Sequence, residues 1–307
     1  MPDVTVIINP ISGPKRRGRG EARAELAKQT LDRLGVEGDV RLTERGGHAH
    51  DLALEAIAAG AATVIAWGGD GTMNEVARAL VQRSLEGGED PRTTDAPPPA
   101  LGLVPGGSGN GLSRELQIPF DPSLAIERAV RSPARRVDVG ELGGHLFFNV
   151  AGIGLDAHVA ALVSTRVHHR GLVPYMRASL GDLLKFRPSD YAIEEGGRIV
   201  EMSALLVALA NSQQYGFGAH IAPAASITDG LIDLVAISDR GLLGNLIRVP
   251  SLFVGRLDRR AGVSTSQIRA ATIRAKTPML FHVDGEAVQG SDTLIARVYP
   301  GALRLRA

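Results

Sequence analysis

Apolar and polar positions in the first third of the chain alternate between two periods. Val4-Thr5-Val6-Ile7-Ile8 is a β-branched run and predicts a strand. Residues 21–34 place Ala24, Ala27, Leu31 and Leu34 at helical spacing with charges between them, which predicts a helix. The same reading gives a short strand at 39–42, an alanine-rich helix at 49–59, a strand at 62–67, a helix at 72–84 and a strand at 100–104. A βαβα order predicts a parallel sheet with helices on both faces. Ligands of such sheets bind beyond the carboxyl ends of the strands.

Beyond about Pro133 the texture changes. Short alternating runs appear at 136–141, 146–151, 191–194, 202–210, 231–237, 272–276 and 279–283. Gly143-Gly144, Gly196-Gly197 and Asp229-Gly230 punctuate them as turn signals. The second part is therefore expected to be a mostly antiparallel β domain. Helical stretches interrupt it at 172–186 and 242–257, the latter kinked or split by Pro250. Residues 86–99, rich in Gly, Asp, Thr and Pro, read as a surface connection.

Bulk properties narrow the classes. The formal net charge of +1 over 307 residues gives no general argument for nucleic acid, so no nucleic-acid partner is expected. With no cysteine, disulfides, thiolate zinc sites and cysteine nucleophiles are excluded. The apolar start reads as a first strand, not a signal peptide. No apolar run reaches the roughly 18–20 residues that span a bilayer. A soluble chain is expected, with any membrane contact peripheral.

The chemistry concentrates at strand ends. Gly68-Gly69-Asp70-Gly71-Thr72 and Gly106-Gly107-Ser108-Gly109-Asn110 each follow a strand and open a helix. Glycines at such turns let backbone N–H groups approach phosphate oxygens, and the helix start adds positive dipole. Asn9-Pro10-Ile11-Ser12-Gly13 ends the first strand and leads into Lys15, Arg16, Arg17 and Arg19. Asp229-Gly230 and Asp284-Gly285-Glu286 are hairpin-type sequences, most often used as turns. Their carboxylates gain interest because phosphoryl transfer needs metal ligands and a group that orients the attacking hydroxyl. No zinc spacing, Gly-x-Ser-x-Gly elbow or Walker ending is present.

Together these motifs resemble the diacylglycerol kinase catalytic-domain family, which includes bacterial lipid kinases, sphingosine kinases and ceramide kinases. The resemblance spans essentially the whole chain. Besides the turns above it includes Thr43 with Gly47-His48-Ala49, then Asn74-Glu75 and Val137-Asp138. It continues through Phe148-Asn149-x-Ala151-Gly152-x-Gly154, Ala222-Pro223-x-Ala225 and Asp229-Gly230-Leu231-x-Asp233.

The resemblance implies a nucleotide-binding α/β domain over 1–134, with 293–307 returning to it, and a β-sandwich lipid-binding domain over 135–292. The family places its active site in the cleft between them. It implies ATP binding by Asn9, Ser12, Gly13, Thr43, Gly68, Gly69, Asp70, Gly71, Thr72, Asn74, Gly107, Ser108 and Asn110. It makes Glu286, within Asp284-Gly285-Glu286, the base or hydroxyl-orienting group, with Asp70 its rival and Asp284 beside it. Mg²⁺ is implied at Ser226, Asp229 and Leu231, and Asp138 looks like part of an acidic network.

At position 111 the chain has glycine where many bacterial diacylglycerol kinases carry an acid. Sphingosine and ceramide kinases also lack that acid, so the lipid class stays open.

The expected activity is transfer of the γ-phosphate of ATP to the hydroxyl of a diacylglycerol or a sphingoid or ceramide-type lipid. The expected location is cytoplasmic, peripheral on the inner face of the membrane, with room for a homodimer. Residues 172–186 beside Arg166, His168, His169, Arg170 and Arg177, and Leu252-Phe253-Val254 beside Arg256, Arg259 and Arg260, suit anionic lipid. The rival readings are an NAD kinase-like enzyme acting on a soluble dinucleotide and a catalytically silent nucleotide-binding module.

Overall fold

A computed structural model describes residues 3–13, 18–86, 98–166, 186–216 and 218–307. The helix expected at 172–186 lies outside these apart from Phe186, as do Lys15, Arg16, Arg17, His168, His169, Arg170, Arg177 and most of the 86–99 connection. The chain divides into two compact units. One runs to Val137 and includes Gly301–Ala307; the other is Asp138–Pro300.

The first unit alternates as its periodicity predicts. It contains β1 (Val4–Ile8), α1 (Arg19–Leu34), β2 (Gly38–Leu42), α2 (His48–Ala58), β3 (Thr63–Gly68), α3 (Asp70–Glu86) and β4 (Ala100–Pro105). The strands pair in parallel in the order β2-β1-β3-β4, with Val6 opposite Val40 and Ile65, and Trp67 opposite Val104. Every residue of β1, β3 and β4 is buried, as a parallel strand covered on both faces requires.

Two helices of this unit escaped the sequence reading: α4 (Gly111–Glu115) and α5 (Pro122–Arg131). The second carried a readable signal. Pro122 occupies its first turn, and the N-cap carboxylate of Asp121 accepts the Leu124 amide at 3.0 Å.

The second unit is an antiparallel sandwich. It holds most of β5 (Ala134–Leu142), then β6 (His145–Phe147), β7 (Val150–Gly154), α6 (Leu155–Arg166), β8 (Ser189–Glu195), β9 (Arg198–Ala204) and β10 (Leu206–Ala210). After β11 (Gln214–Gly216) and β12 (Ala219–His220) come β13 (Ile232–Ile237), α7 (Gly241–Phe253), β14 (Val263–Ile268), β15 (Ala270–Ala275), β16 (Leu280–Val283), β17 (Glu286–Gln289) and β18 (Thr293–Arg306). One sheet runs β14-β13-β10-β7-β16-β17; β18, β15, β8 and β9 follow one another in the other. Their inner faces share a core that includes Phe147, Ile153, Ile193, Leu209, Leu234, Ile273 and Phe281.

Two runs read as single strands are each divided. The 146–151 run breaks at Phe148-Asn149, whose amides turn to the Asp284 carboxylate instead of a neighbouring strand. The 202–210 run breaks at Leu205, where the chain passes from one sheet to the other: Tyr191 pairs with Met202, but Val207 pairs with Ala236 and Ile153. Both halves are apolar, so hydropathy alone carries no mark of the switch. Pro250 sits inside α7 without ending it, and a short 3₁₀ turn follows at Leu257–Arg259.

Two-residue turns at 143–144, 196–197 and 284–285 have positive φ at both positions. They join β5 to β6, β8 to β9 and β16 to β17 as tight hairpins. The last strand is shared: Thr272 of β15 pairs with Ile295, whereas Leu305 and Arg306 lie parallel to Leu101 and Gly102 of β4.

Candidate functional site

Three loops meet at the carboxyl ends of β1, β3 and β4. The Asn9 side chain donates to the Thr72 hydroxyl at 3.0 Å, tying the first loop to the start of α3. A Cβ on Gly13 would lie 2.7 Å from the Gly106 carbonyl oxygen, and one on Gly107 would lie 2.5 Å from the Gly69 Cα. The Gly106 amide donates to the Gly68 carbonyl at 2.7 Å. Glycine at 13, 69 and 107 thus lets three backbones lie nearly in contact.

Asp70 clasps the two glycine turns. One carboxylate oxygen accepts the Asn110 amide at 2.8 Å and the other the Gly111 amide at 2.7 Å. Burial pushes this carboxyl above the usual range, opposed by those amides and by the charge of Arg114. Asn110 is left-handed with φ 53°, and its side chain closes the second turn by accepting the Gly107 amide and donating to the Gly107 carbonyl. Among the described residues, the Ser108 and Gly109 amides have no protein acceptor. The first amides of α3 have none one turn back, as in any helix. Two sets of donors therefore stand side by side, suited to phosphate oxygens.

The first loop is braced from α1. Arg23 donates to the Asn9 carbonyl and the Ser12 hydroxyl, both at 2.8 Å, and its guanidinium lies 5.5 Å above the buried Trp67 ring. Sequence reasoning missed Arg23, because a charge on a helix gives no sign of which face it joins. Thr43 is buried at the neighbouring strand end, its amide donating to the Ile8 carbonyl. Glu75 accepts the Gly47 and Ala49 amides and so fixes the start of α2. The Asn74 side chain, expected on the nucleotide, is buried and accepts from Arg78 at 2.8 Å.

In the second unit, Asp284 is a turn anchor. Its carboxylate accepts the amides of Phe148, Asn149 and Val150 at 2.9 to 3.1 Å. Asp284, expected beside the base, thus holds the chain through these three amides. Glu286, two residues on, is exposed at the start of β17.

Beneath this hairpin lies a polar network that the sequence reading did not anticipate. His282 Nε2 is 3.2 Å from Asp156 Oδ2, and the Tyr215 hydroxyl donates to the same oxygen at 2.8 Å. The Gly285 amide can only donate, so His282 Nδ1 accepts from it, at 3.3 Å, and the imidazole proton sits on Nε2 facing Asp156. Gly152 makes room: a Cβ there would come within 1.9 Å of Asp156 Oδ2. The available signal was a histidine in the middle of an apolar strand, Leu280-Phe281-His282-Val283.

The loop expected to hold metal is ordered by its own bonds. Asp229 accepts the Leu231 amide at 3.0 Å, Ser226 accepts the Thr228 amide at 3.4 Å, and buried Asp138 accepts the Gly230 amide at 2.7 Å. No cluster of three or more His, Asp or Glu suited to a metal occurs among the described residues. Asp233 is nevertheless raised, first by burial and then by the charge of Asp229.

Known family models match both parts of the chain. Residues 3–142 match the diacylglycerol kinase catalytic domain, and residues 149–307 match the YegS C-terminal NAD kinase beta sandwich-like domain. A Pseudomonas fluorescens Pf-5 protein named "Probable lipid kinase YegS-like" is 32% identical over 272 residues, covering 87% of this chain and 84% of its own. A Chromohalobacter salexigens protein of the same name is 33% identical over 273 residues, covering 87% of this chain and 83% of its own. A diacylglycerol kinase structure from Bacillus anthracis strain Sterne shares the fold, with a TM-score of 0.71 at 17% identity, covering 99% of this chain and 96% of its own. The chain belongs to the YegS-like lipid kinases, a family built on the diacylglycerol kinase catalytic domain.

Proposed function

We propose that this protein transfers the γ-phosphoryl group of ATP to the hydroxyl of a membrane lipid, acting as a cytoplasmic enzyme at the inner face of the bilayer. The observation that carries the reading is the clasp of Asp70 on Asn110 and Gly111, which locks two glycine turns together with amides left over for phosphate. In this reading the amides of α3 and of Ser108 and Gly109 take the phosphate oxygens, and Asn9, Ser12 and Thr72 supply polar side chains around them.

The lipid oxygen attacks the γ-phosphorus, the bond to ADP breaks, and the hydroxyl proton passes to a carboxylate. Glu286 is assigned that proton because it is exposed, whereas both oxygens of Asp70 are already engaged. The protein's contribution is positioning and charge stabilisation, as in phosphoryl transfer generally. Mg²⁺ held by Asp229 with Ser226 and Leu231 would add positive charge at this loop.

The test is purified protein with radiolabelled ATP against diacylglycerol, monoacylglycerol, sphingosine, ceramide and NAD, resolved by thin-layer chromatography. Label in a lipid supports the proposal and names the acceptor. Label only in NADP moves the chain to the dinucleotide reading, and ATP binding without transfer to any acceptor moves it to the silent module.

A further inference from the structure

Helix α7 is amphipathic in the inverted sense. Among its described residues the buried ones are polar, Asn245, Arg248 and Ser251, and Leu252 packs in part on an apolar cluster beside them. Arg248 donates to the Ser238 carbonyl at 2.7 Å and the Ala261 carbonyl at 2.6 Å, and Asn245 donates to Asp239 at 2.7 Å. Gly262 leaves space for the guanidinium, since a Cβ there would lie 2.4 Å from Arg248 Nη2. These bonds pin the helix with its polar side inward.

The opposite side is apolar and faces outward. Leu243 is 72% exposed, Ile247 56% and Val254, just past the last turn, 64%, with Pro250 exposed between them. At 100° per residue these four fall within about 60° of one another, a single stripe. Phe253 widens it at the C-terminal end. An apolar stripe held outward by a buried arginine is the reverse of what folding alone selects, and exposed patches of this kind mark interaction sites.

The charges around the stripe identify the partner. Arg240, Arg256, Arg259 and Arg260 are all exposed at its two ends, against Asp239 and Asp258. Asp239 is already engaged, accepting from Asn245 and from the Gly241 amide at 2.9 Å. Apolar side chains rimmed by arginine suit an anionic bilayer, where the former enter the acyl boundary and the latter meet phosphate headgroups. A second copy of the same cationic face would meet it with like charge.

We propose that α7 and the turn after it, residues 240–260, form the surface by which this protein docks on anionic membrane. The inference rests on the lipid kinase reading for its purpose, but not for its test.

Full-length protein would be floated with phosphatidylcholine vesicles, with and without phosphatidylglycerol, at low and high salt. The expected result is binding to the anionic vesicles that weakens with salt. Arg256→Glu and Arg259→Glu should each lower partitioning by about fivefold or more, near the contribution of one basic residue. Ile247→Asp with Val254→Asp should lower it further. Circular dichroism and turnover of a short-chain, water-dispersed lipid should stay at wild-type values, because none of these residues belongs to the phosphate cradle.

Equal flotation of variants and wild type would overturn the proposal. So would a dimer in sedimentation that Ile247→Asp dissolves, which would make the stripe a contact between copies. Loss of flotation in the variants beside wild-type protein that phosphorylates no lipid would uphold docking and remove the kinase reading.

Discussion

His282 and Asp156 form a buried imidazole–carboxylate pair, Nε2 to Oδ2 at 3.2 Å, whose other end holds the Gly285 amide just before Glu286. The pair is thus built into the hairpin that carries the exposed carboxylate. Removing the ring by His282→Ala leaves Asp156 with one partner fewer in a buried place, at a cost of about 1–3 kcal/mol. It also frees the Gly285 amide. Turnover should then fall more than stability alone explains, by roughly tenfold, on the sensitivity of catalysis to small displacements. His282→Asn keeps an acceptor near the position of Nδ1 and should recover part of the turnover while remaining destabilised. Urea melts paired with kcat at saturating substrate check this; a destabilised alanine variant with unchanged kcat would remove the positioning role.

Glu286 and Asp284 should separate cleanly. Glu286→Gln keeps the hairpin, because the side chain is exposed, but takes away the proton acceptor. Turnover should fall by roughly 10²-fold or more with the melting temperature unchanged. Asp284→Ala leaves the amides of Phe148, Asn149 and Val150 without their acceptor and should destabilise the second unit by several kcal/mol, about 1–3 for each buried donor left bare. Thermal melts and steady-state assays on both variants decide the matter; the reverse pattern would exchange the two roles.

The raised pKa of Asp70 gives a stability prediction with a definite sign. Burial, its largest cause, favours the protonated carboxyl in the folded state. Between the ordinary carboxylate value and the raised one, the folded state therefore binds more protons than the unfolded state. Stability contributed by this group is fully present below the unfolded pKa and is lost as pH rises through the folded one. Asp70→Asn cannot titrate. The wild-type advantage over Asp70→Asn should be largest at acid pH and shrink as the pH climbs toward neutral. Chemical denaturation of both proteins across that interval checks it, and a difference that grows with pH would show the amides of Asn110 and Gly111 outweighing burial.

Much of this was readable from the residues, and the unread part has physical causes. The βαβα alternation and the glycine turns are local patterns, with strand and helix periods and punctuation within a few residues, and they appear where expected from Val4 to Pro105. The sheet switch at Leu205 is a pairing choice made by distant strands, invisible in a run that is apolar on both sides. Asp70 lies in a phosphate-type turn that the sequence marks, but its clasp on Asn110 and Gly111, 40 and 41 residues away, has no local sign. Arg23, His282 and Asp156 act through contacts at long sequence separation, and a single chain carries no local mark for those.

Gly71 and Gly107 offer the sharpest test of the phosphate cradle, because their surroundings differ. A Cβ on Gly107 would meet the Gly69 Cα at 2.5 Å, whereas one on Gly71 would meet nothing within 4 Å. Gly107→Ala must therefore push two backbones apart and should destabilise the first unit. Gly71→Ala meets no protein atom, and in the first turn of α3 it should hold or raise stability by up to about 1 kcal/mol. If the amides beside position 71 receive the nucleotide tail, the new methyl will occupy space that only the ligand needs. Affinity for ATP should then drop by about tenfold or more in a protein that melts no lower than wild type. Calorimetric titration with ATP beside a thermal melt reads both quantities, and wild-type affinity in Gly71→Ala would place the phosphates away from this turn.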